Sequence, residues 1–263
     1  GKSEKNAEQL PDTTGMKNEV ILFKGQRNRY DKAFVTAGAT LVEYGSADSA
    51  TTAELEAEIN EYTACIAFVV AGAIPAGIGL EETIRVAHEH GIPVIVDAAA
   101  ELPPRSNLSK FHKMGADMVA FSGGKGIAGP QSAGLLAGKA DLMEAVVMNS
   151  LNLDSAVAAI GRPMKVSKEN IVGMVTALQL FTDSDEAAER EGWVSKSQFV
   201  AERLTGISGL RVEIEDESSN RQGTMPVLYF EDDYDGPSVA EIKKQLEGGD
   251  PGIFVGGRGD EIS

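Results

Sequence analysis

Residues 117–138 read DMVAFSGGKGIAGPQSAGLLAG, and their reading decides the fold. An apolar run ends in Ser122, four glycines and Lys125 follow, and a second apolar run begins near Ser132. Glycine-rich turns after strands often hold phosphate at the start of a helix. A P-loop would need glycine at 119 and Ser or Thr at 126. Val119 and Gly126 stand there instead. Gly124, Gly126 and Gly129 spell the dinucleotide pattern G-x-G-x-x-G, but Pro130 and the strand-like SAGLLAG follow. No helix N-terminus is available for a pyrophosphate, so both nucleotide readings fall.

Working outward, strand-like and helix-like segments alternate. EVILF (19–23), TLVEYG (40–45), ACIAFVV (64–70), PVIVDAAA (93–100) and DMVAFS (117–122) read as strands. YDKAFVTAG (30–38), TAELEAEINEY (52–62), LEETIRVAHEHG (80–91) and NLSKFHKMG (107–115) read as helices. DLMEAVVMNS (141–150) is a further helix. Apolar strands alternating with amphipathic helices predict an α/β fold, a mostly parallel sheet sandwiched by helices. Residues 167–204 read as one long helical stretch, followed by strands at 209–216 and 224–232, a helix at 238–248 and a strand-like 252–257. This predicts a large domain over 1–150, then a linker helix and a smaller α+β C-terminal domain over 151–263.

The formal net charge of −16 disfavours nucleic acid and anionic membrane, and the basic residues are scattered. The single cysteine, Cys65, excludes an intrachain disulfide and reads as a buried, inert thiol. No signal-peptide core opens the chain, and Gly72, Pro75, Gly77 and Gly79 break its longest uncharged run. A cytoplasmic location is expected, and the RGD at 258–260 reads as chance. No metal cluster emerges: EDDYDG lacks the closing acid of a calcium loop, and His88 and His90 cannot share a helix face.

Binding sites in parallel sheets lie at the carboxyl ends of strands. Asp97 and Ser122 both occupy such ends, and Lys125 follows on the glycine turn. Each alone reads equally well as a capping acid or a solvated lysine. Together they suit pyridoxal phosphate, which requires an amine to bond covalently, a carboxylate to keep its ring nitrogen protonated, and donors for its phosphate. Glycines would let the backbone pass close to such a ring.

VIVDAAAELPP (94–104), GADMVAFSGGKGIAGPQSAGLLAGKADL (115–142) and GRPMKVSKENIVGMVTAL (161–178) resemble the selenocysteine synthase-like family of fold-type I pyridoxal-phosphate enzymes. That family includes L-seryl-tRNA(Sec) selenium transferase and D-glucosaminate-6-phosphate ammonia-lyase. NEVILFKGQRNRYDKAFVTAGATLVEYG (18–45) shares the resemblance, which covers most of residues 10–200. It implies that Lys125 bonds the cofactor, Asp97 partners the ring nitrogen, Ser122 touches the phosphate and Ala99 lies under the ring. Gln131 belongs to the Gly-Pro-Gln signature, with a structural or cofactor-proximal place. Arg162, in a pattern with Lys165 and Lys168, is a candidate for the substrate's carboxylate or phosphate; a salt-bridged arginine is the competing reading.

The resemblance also implies further residues at both ends, including part of the phosphate cup, so the chain is expected to be truncated. The acidic charge and the lack of a basic amino-terminal domain make tRNA an unexpected partner. The expected function is a lyase acting on a small, possibly phosphorylated, amino acid or amino sugar acid, with α,β-elimination and ammonia release. The alternatives are selenium transfer, a racemase or aldolase outcome, or, in a different class, a non-catalytic fold-type I shell. A homodimer or higher homo-oligomer is expected.

Overall fold

The computed structural model describes residues 2–70, 77–150, 157–216, 223–257, 259 and 261–263. Gly72, Pro75 and parts of the RGD tripeptide therefore lie outside the described residues. The chain divides into two compact units, Gly1–Ser184 and Asp185–Ser263.

The first unit opens with α1 (Glu4–Gln9), then alternates β1 (Glu19–Phe23), α2 (Lys32–Thr36), β2 (Thr40–Tyr44), α3 (Thr52–Glu58), β3 (Thr63–Val69), α4 (Leu80–Glu89), β4 (Val94–Asp97), α5 (Asn107–Lys113) and β5 (Met118–Ser122). It closes with β6 (Gly134–Gly138), α6 (Ala140–Ser150) and α7 (Lys168–Asp183). The strands form one sheet in the order β2-β1-β3-β4-β5-β6. The first five are parallel, and β6 runs antiparallel to β5 at the edge.

Successive side chains of a strand point to opposite faces. One face carries Ile21, Phe23, Ile66, Phe68, Val94, Val96, Val119 and Phe121 into the main core, packed with residues of α3, α4, α5 and α7. The other carries a much smaller buried cluster, Val20, Leu22, Cys65 and Ala67, flanked by Phe34, Leu41 and Ile95. Burying one such large side chain stabilises the fold by about 1.5–3 kcal/mol, so the first face dominates cohesion. Cys65 sits in the smaller cluster, where burial pushes its thiol up to about 12.

Local signals explain the helix ends. Thr51 and Glu54 form a reciprocal capping box at α3, and Ser167 caps α7 through the Asn170 amide. At the amino end of the sheet, the buried Asp117 accepts hydrogen bonds from the Val94 amide at 2.7 Å and from Lys139 Nζ at 2.5 Å. Its Oδ2 also lies 2.9 Å from His88 Nε2. One carboxylate thereby joins α4, β4, β5 and the start of α6.

The second unit contains α8 (Glu186–Leu204), β7 (Leu210–Asp216), β8 (Thr224–Phe230), α9 (Val239–Glu247) and β9 (Glu261–Ile262), with the strands in an antiparallel sheet in the order β7-β8-β9. Two expectations differ from this. The stretch 167–204 is not one helix: Ser184 is extended and Asp185 starts α8 by accepting from the Ala187 and Ala188 amides. The segment 252–257 forms no strand, and Gly257 takes a left-handed conformation; the third strand is Glu261–Ile262, paired with Leu228 and Tyr229. The division at Ser184 also groups α7 with the sheet, whereas the sequence placed it after the large domain.

Candidate active site

The strand order reverses between β1 and β3, because β2 lies on one side of β1 and β3 to β5 on the other. Parallel sheets bind ligands in the crevice at such a point, beyond the carboxyl ends of the strands. A cavity of about 280 Å³ lies there, on the sparsely covered face. Leu22, Ala67, Val69, Ile95 and Ala120 line it, and Asp97 contributes a carboxylate.

Asp97 ends β4, pairs with Val69 on one side and with Ala120 on the other, and is half-buried. Its Oδ1 accepts from the Ala99 amide at 3.0 Å. That bond turns the chain sharply out of the strand and fixes the carboxylate. Ser122 follows Ala120 by two residues and so shares the face of Asp97. Strand spacing and rise place the Cα atoms of Asp97 and Ser122 roughly 8 Å apart.

Lys125 is exposed on the turn between β5 and β6. Among the described residues, no hydrogen bond or ion pair engages its ammonium. The turn itself is tightly held. The Gly123 amide donates to the Ala133 carbonyl at 3.0 Å, the Gly129 amide to the Gly123 carbonyl at 2.7 Å, and the Ala128 amide to the Lys125 carbonyl at 2.8 Å. Gln131 Nε2 donates to the Gly124 carbonyl at 3.0 Å, so Gln131 pins the lysine turn from inside. Ala128 adopts a φ of 56°, a left-handed conformation that costs a non-glycine residue about 1–2 kcal/mol. Asn170 of α7 reaches Ser132 Oγ at 2.6 Å and clamps the turn from outside.

The glycines of this turn make a different close approach from the one expected. A Cβ on Gly126 would collide with the Leu102 carbonyl oxygen, and one on Gly124 with the Gln131 side chain. The space they free is occupied by protein. The Leu102 contact has a further effect: it seats the lysine turn on the loop that leaves Asp97 and Ala99. Ile127 and Leu102 are buried together in the main core and reinforce that seat. Asp97, Ala99, Ser122, Lys125 and Gln131 therefore belong to one edge of the sheet, although Ser122, Lys125, Ala99 and Gln131 do not line the 280 Å³ cavity.

Arg162 and Lys165 lie apart from this group. Both are exposed, Arg162 in a short helical turn before α7. Lys165 lines a second cavity of about 620 Å³ with Leu136, Val146, Met164 and Ile171. Ala33 of α2 lines both cavities, so the two adjoin across that helix.

Sequence reasoning missed Asn28, Tyr30 and Asp31, which line the Asp97 cavity. Asn28 Oδ1 accepts from the Tyr30 amide at 2.8 Å, and Asp31 is buried and bonded to Arg27 at 2.5 Å. Their signal was positional: KGQRNRYD (24–31) directly follows the carboxyl end of β1, the place where a parallel sheet puts ligand contacts.

A parallel sheet with this strand order, a carboxylate at one strand end and a lysine on the adjoining turn define a fold-type I architecture. The aminotransferase class-V model matches residues 32–242, and the chain belongs to that family. It is 31% identical over 252 residues to D-glucosaminate-6-phosphate ammonia lyase of Salmonella typhimurium, covering 94% of this chain and 64% of that protein. It is 29% identical over 256 residues to 5'-C-glycyluridine monooxygenase-decarboxylase of a Streptomyces species, covering 94% of this chain and 61% of that protein. L-seryl-tRNA(Sec) selenium transferases also match, at lower identity. A solved structure of D-glucosaminate-6-phosphate ammonia-lyase superposes with a TM-score of 0.80 at 28% identity, covering 99% of this chain and 69% of that one. The chain thus spans under two thirds of the length of the two relatives. Among the described residues no helix is long and apolar enough to cross a membrane.

Proposed function

We propose that the chain carries the cofactor-binding lysine of a pyridoxal-phosphate enzyme, a lyase for small amino acids or amino sugar acids. The observation that carries this reading is the seating of the Lys125 turn on the loop leaving Asp97, through Gly126 and Leu102. The residues fit the cofactor: Asp97 keeps one carboxylate oxygen on the Ala99 amide and has the other to offer, and the Lys125 ammonium is unengaged among the described residues. When bound, pyridoxal phosphate supplies an electron sink that stabilises negative charge at the substrate Cα.

Lys125 would hold the cofactor, and the Asp97 carboxylate would keep its ring nitrogen protonated. Ser122 would donate to the phosphate, and Ala99 would help to hold the ring. Gln131 holds the turn in shape. With its amine free, Lys125 would take the substrate's Cα proton as general base. The Cβ hydroxide would leave as water, taking up the proton removed from Cα, and hydrolysis with one water would then release ammonia and a keto product. Arg162 and Lys165 hold an anionic group of the substrate, a carboxylate or a phosphate. Similarity to the ammonia lyase supports a phosphorylated amino sugar acid.

A second reading comes from the comparably similar monooxygenase-decarboxylase. Oxygen uptake and carbon dioxide release would mark that chemistry; ammonia and a keto acid mark the lyase. Selenium transfer ranks below both, because the net charge of −16 disfavours tRNA. A gel shift at physiological salt that shows tight tRNA binding overturns that ranking.

The direct test is to purify the protein with pyridoxal phosphate and reduce it with borohydride. A visible absorption band should disappear, and peptide mass should place the label on Lys125. An identical label in Lys125→Ala refutes the assignment. Absence of any band would favour the non-catalytic shell.

A further inference from the structure

Gln26 is a polar residue at only 1% exposure. It closes the short helical turn Lys24–Gln26 that follows β1. Its Oε1 accepts from the Val69 amide at 3.1 Å, across 43 residues of chain. Burying an amide side chain is unfavourable unless it is hydrogen-bonded, and this bond accounts for a glutamine in the interior.

The bond falls where the sheet opens. The register between β1 and β3 ends at Leu22 and Ala67. Yet β1 runs on to Phe23, still paired with Tyr44 of β2, and β3 runs on to Val69, paired with Asp97 of β4. Val69 lies beyond the β1 register, and the Gln26 side chain supplies an acceptor there. A β1 backbone that continued the ladder would close the crevice that Leu22, Ala67, Val69 and Asp97 line. An apolar residue at 26 would take this acceptor from the Val69 amide, an obligatory donor. A glutamine avoids both. The same turn steadies the crevice wall. The Gln26 carbonyl accepts from Asn28 Nδ2 at 3.1 Å, and the Asn28 amide donates to Asp31 Oδ2 at 3.2 Å. A Cβ on Gly25 would collide with the Ala47 carbonyl oxygen and the Phe23 ring, so the turn has little room to shift.

We propose that Gln26 is a positioning residue for the crevice beside Asp97. Its side chain ties the end of β3 to the loop that carries Asn28, Tyr30 and Asp31, and so fixes the two walls at a set separation. Gln26 does not itself line the cavity. It acts through Val69, whose register partner is Asp97, and Val70 continues the tie by donating to the Asp97 carbonyl at 2.9 Å. Misplacement of a holding group by about 1 Å from a distant change is enough to weaken function strongly. The proposal rests on the cofactor reading of Asp97 and Lys125.

The test uses the full chain and has two arms. In the first, hydrogen exchange is read at single amides without cofactor. Gln26→Met keeps the length of the side chain but has no oxygen to accept, and it should speed exchange at Val69 at least tenfold. Exchange at Val94, bonded to Asp117, should not change. In the second arm, pyridoxal phosphate is titrated and followed by absorbance, with circular dichroism to correct for the folded fraction. Gln26→Met should bind it at least tenfold more weakly than wild type. Val86→Ala, a truncation in the buried face of α4, should lower the melting temperature and leave that affinity unchanged. If Gln26→Met does not fold, Gln26→Asn, whose amide falls one methylene short of Val69, takes its place with the same expectations. Unchanged exchange at Val69 overturns the proposal. So does a wild type that binds the cofactor beside a Gln26 variant that binds it equally well, or an equal loss in Val86→Ala. A wild type that shows no visible band refutes the cofactor reading itself, and the proposal falls with it.

Discussion

The α-carbon of Gly126 lies so close to the carbonyl oxygen of Leu102 that no side chain fits between them. The two residues belong to the turn that presents Lys125 and the loop that leaves Asp97, and their contact makes one platform of both. Gly126→Ala should force the two segments apart and destabilise the fold by about 1–3 kcal/mol. It should also reduce cofactor loading although Lys125 is retained. Thermal unfolding and the visible band of the loaded protein check the two effects separately.

Asp97 accepts from the Ala99 amide, and the proposed function adds a chemical role; one substitution separates the two. Asparagine keeps an oxygen to accept from the Ala99 amide, so Asp97→Asn should fold with an unchanged melting temperature. It cannot hold a proton on a ring nitrogen. Turnover should fall by about 100-fold or more, the scale on which fixed electrostatic contacts act. A melting temperature that collapses with activity would show the carboxylate to be purely structural.

The Asp117 carboxylate has a distinct pH signature. Burial alone would raise its pKa, but hydrogen bonds from Lys139, His88 and the Val94 amide outweigh burial and hold it below the ordinary value. A depressed acid contributes stability above its unfolded pKa of about 3.9 and loses it as pH falls through the folded value. Wild type should therefore exceed Asp117→Asn by about 1.5–3 kcal/mol near neutrality, less for the share of the exposed Lys139. The gap should close below pH ~3.9. Denaturant titrations at several pH values measure it.

Burial raises the Cys65 thiol to about 12, so the folded protein should resist maleimide at neutral pH and react only when unfolded. Rapid labelling under native conditions would place Cys65 outside the small cluster it shares with Leu22 and Ala67.

Much of the fold was legible because the strands are unusually plain. EVILF and the core of DMVAFS carry no breaker, and β1, β2, β3 and β5 fall within one residue of the runs that announced them, whereas β4 stops at Asp97, three residues before the end of its run. What sequence did not reveal was geometry set by single residues. The break at Ser184 depends on Asp185 turning its side chain onto two amides, and a helical pattern spans it without a gap. The failed strand at 252–257 was read from Ile253, Phe254 and Val255, but the glycines around them leave no ladder. At the candidate site, Asp97, Ser122 and Lys125 were visible as residue types at strand ends. The contribution of Tyr30 was not, because it depends on β1 lying next to β3, a neighbour relation that no local pattern encodes. The glycines were legible as close approaches; what they approach required the loop at Leu102.

The antiparallel course of β6 has a consequence for the order in which the molecule assembles. Pairing among β1, β3, β4 and β5 must wait for intervening chain to cross over, with the loop-closure entropy that this entails. The pair β5–β6 closes as a hairpin, and its contacts are the most local in the sheet. The Lys125 turn is therefore placed to form early and to serve as a template against which the Asp97 loop later docks.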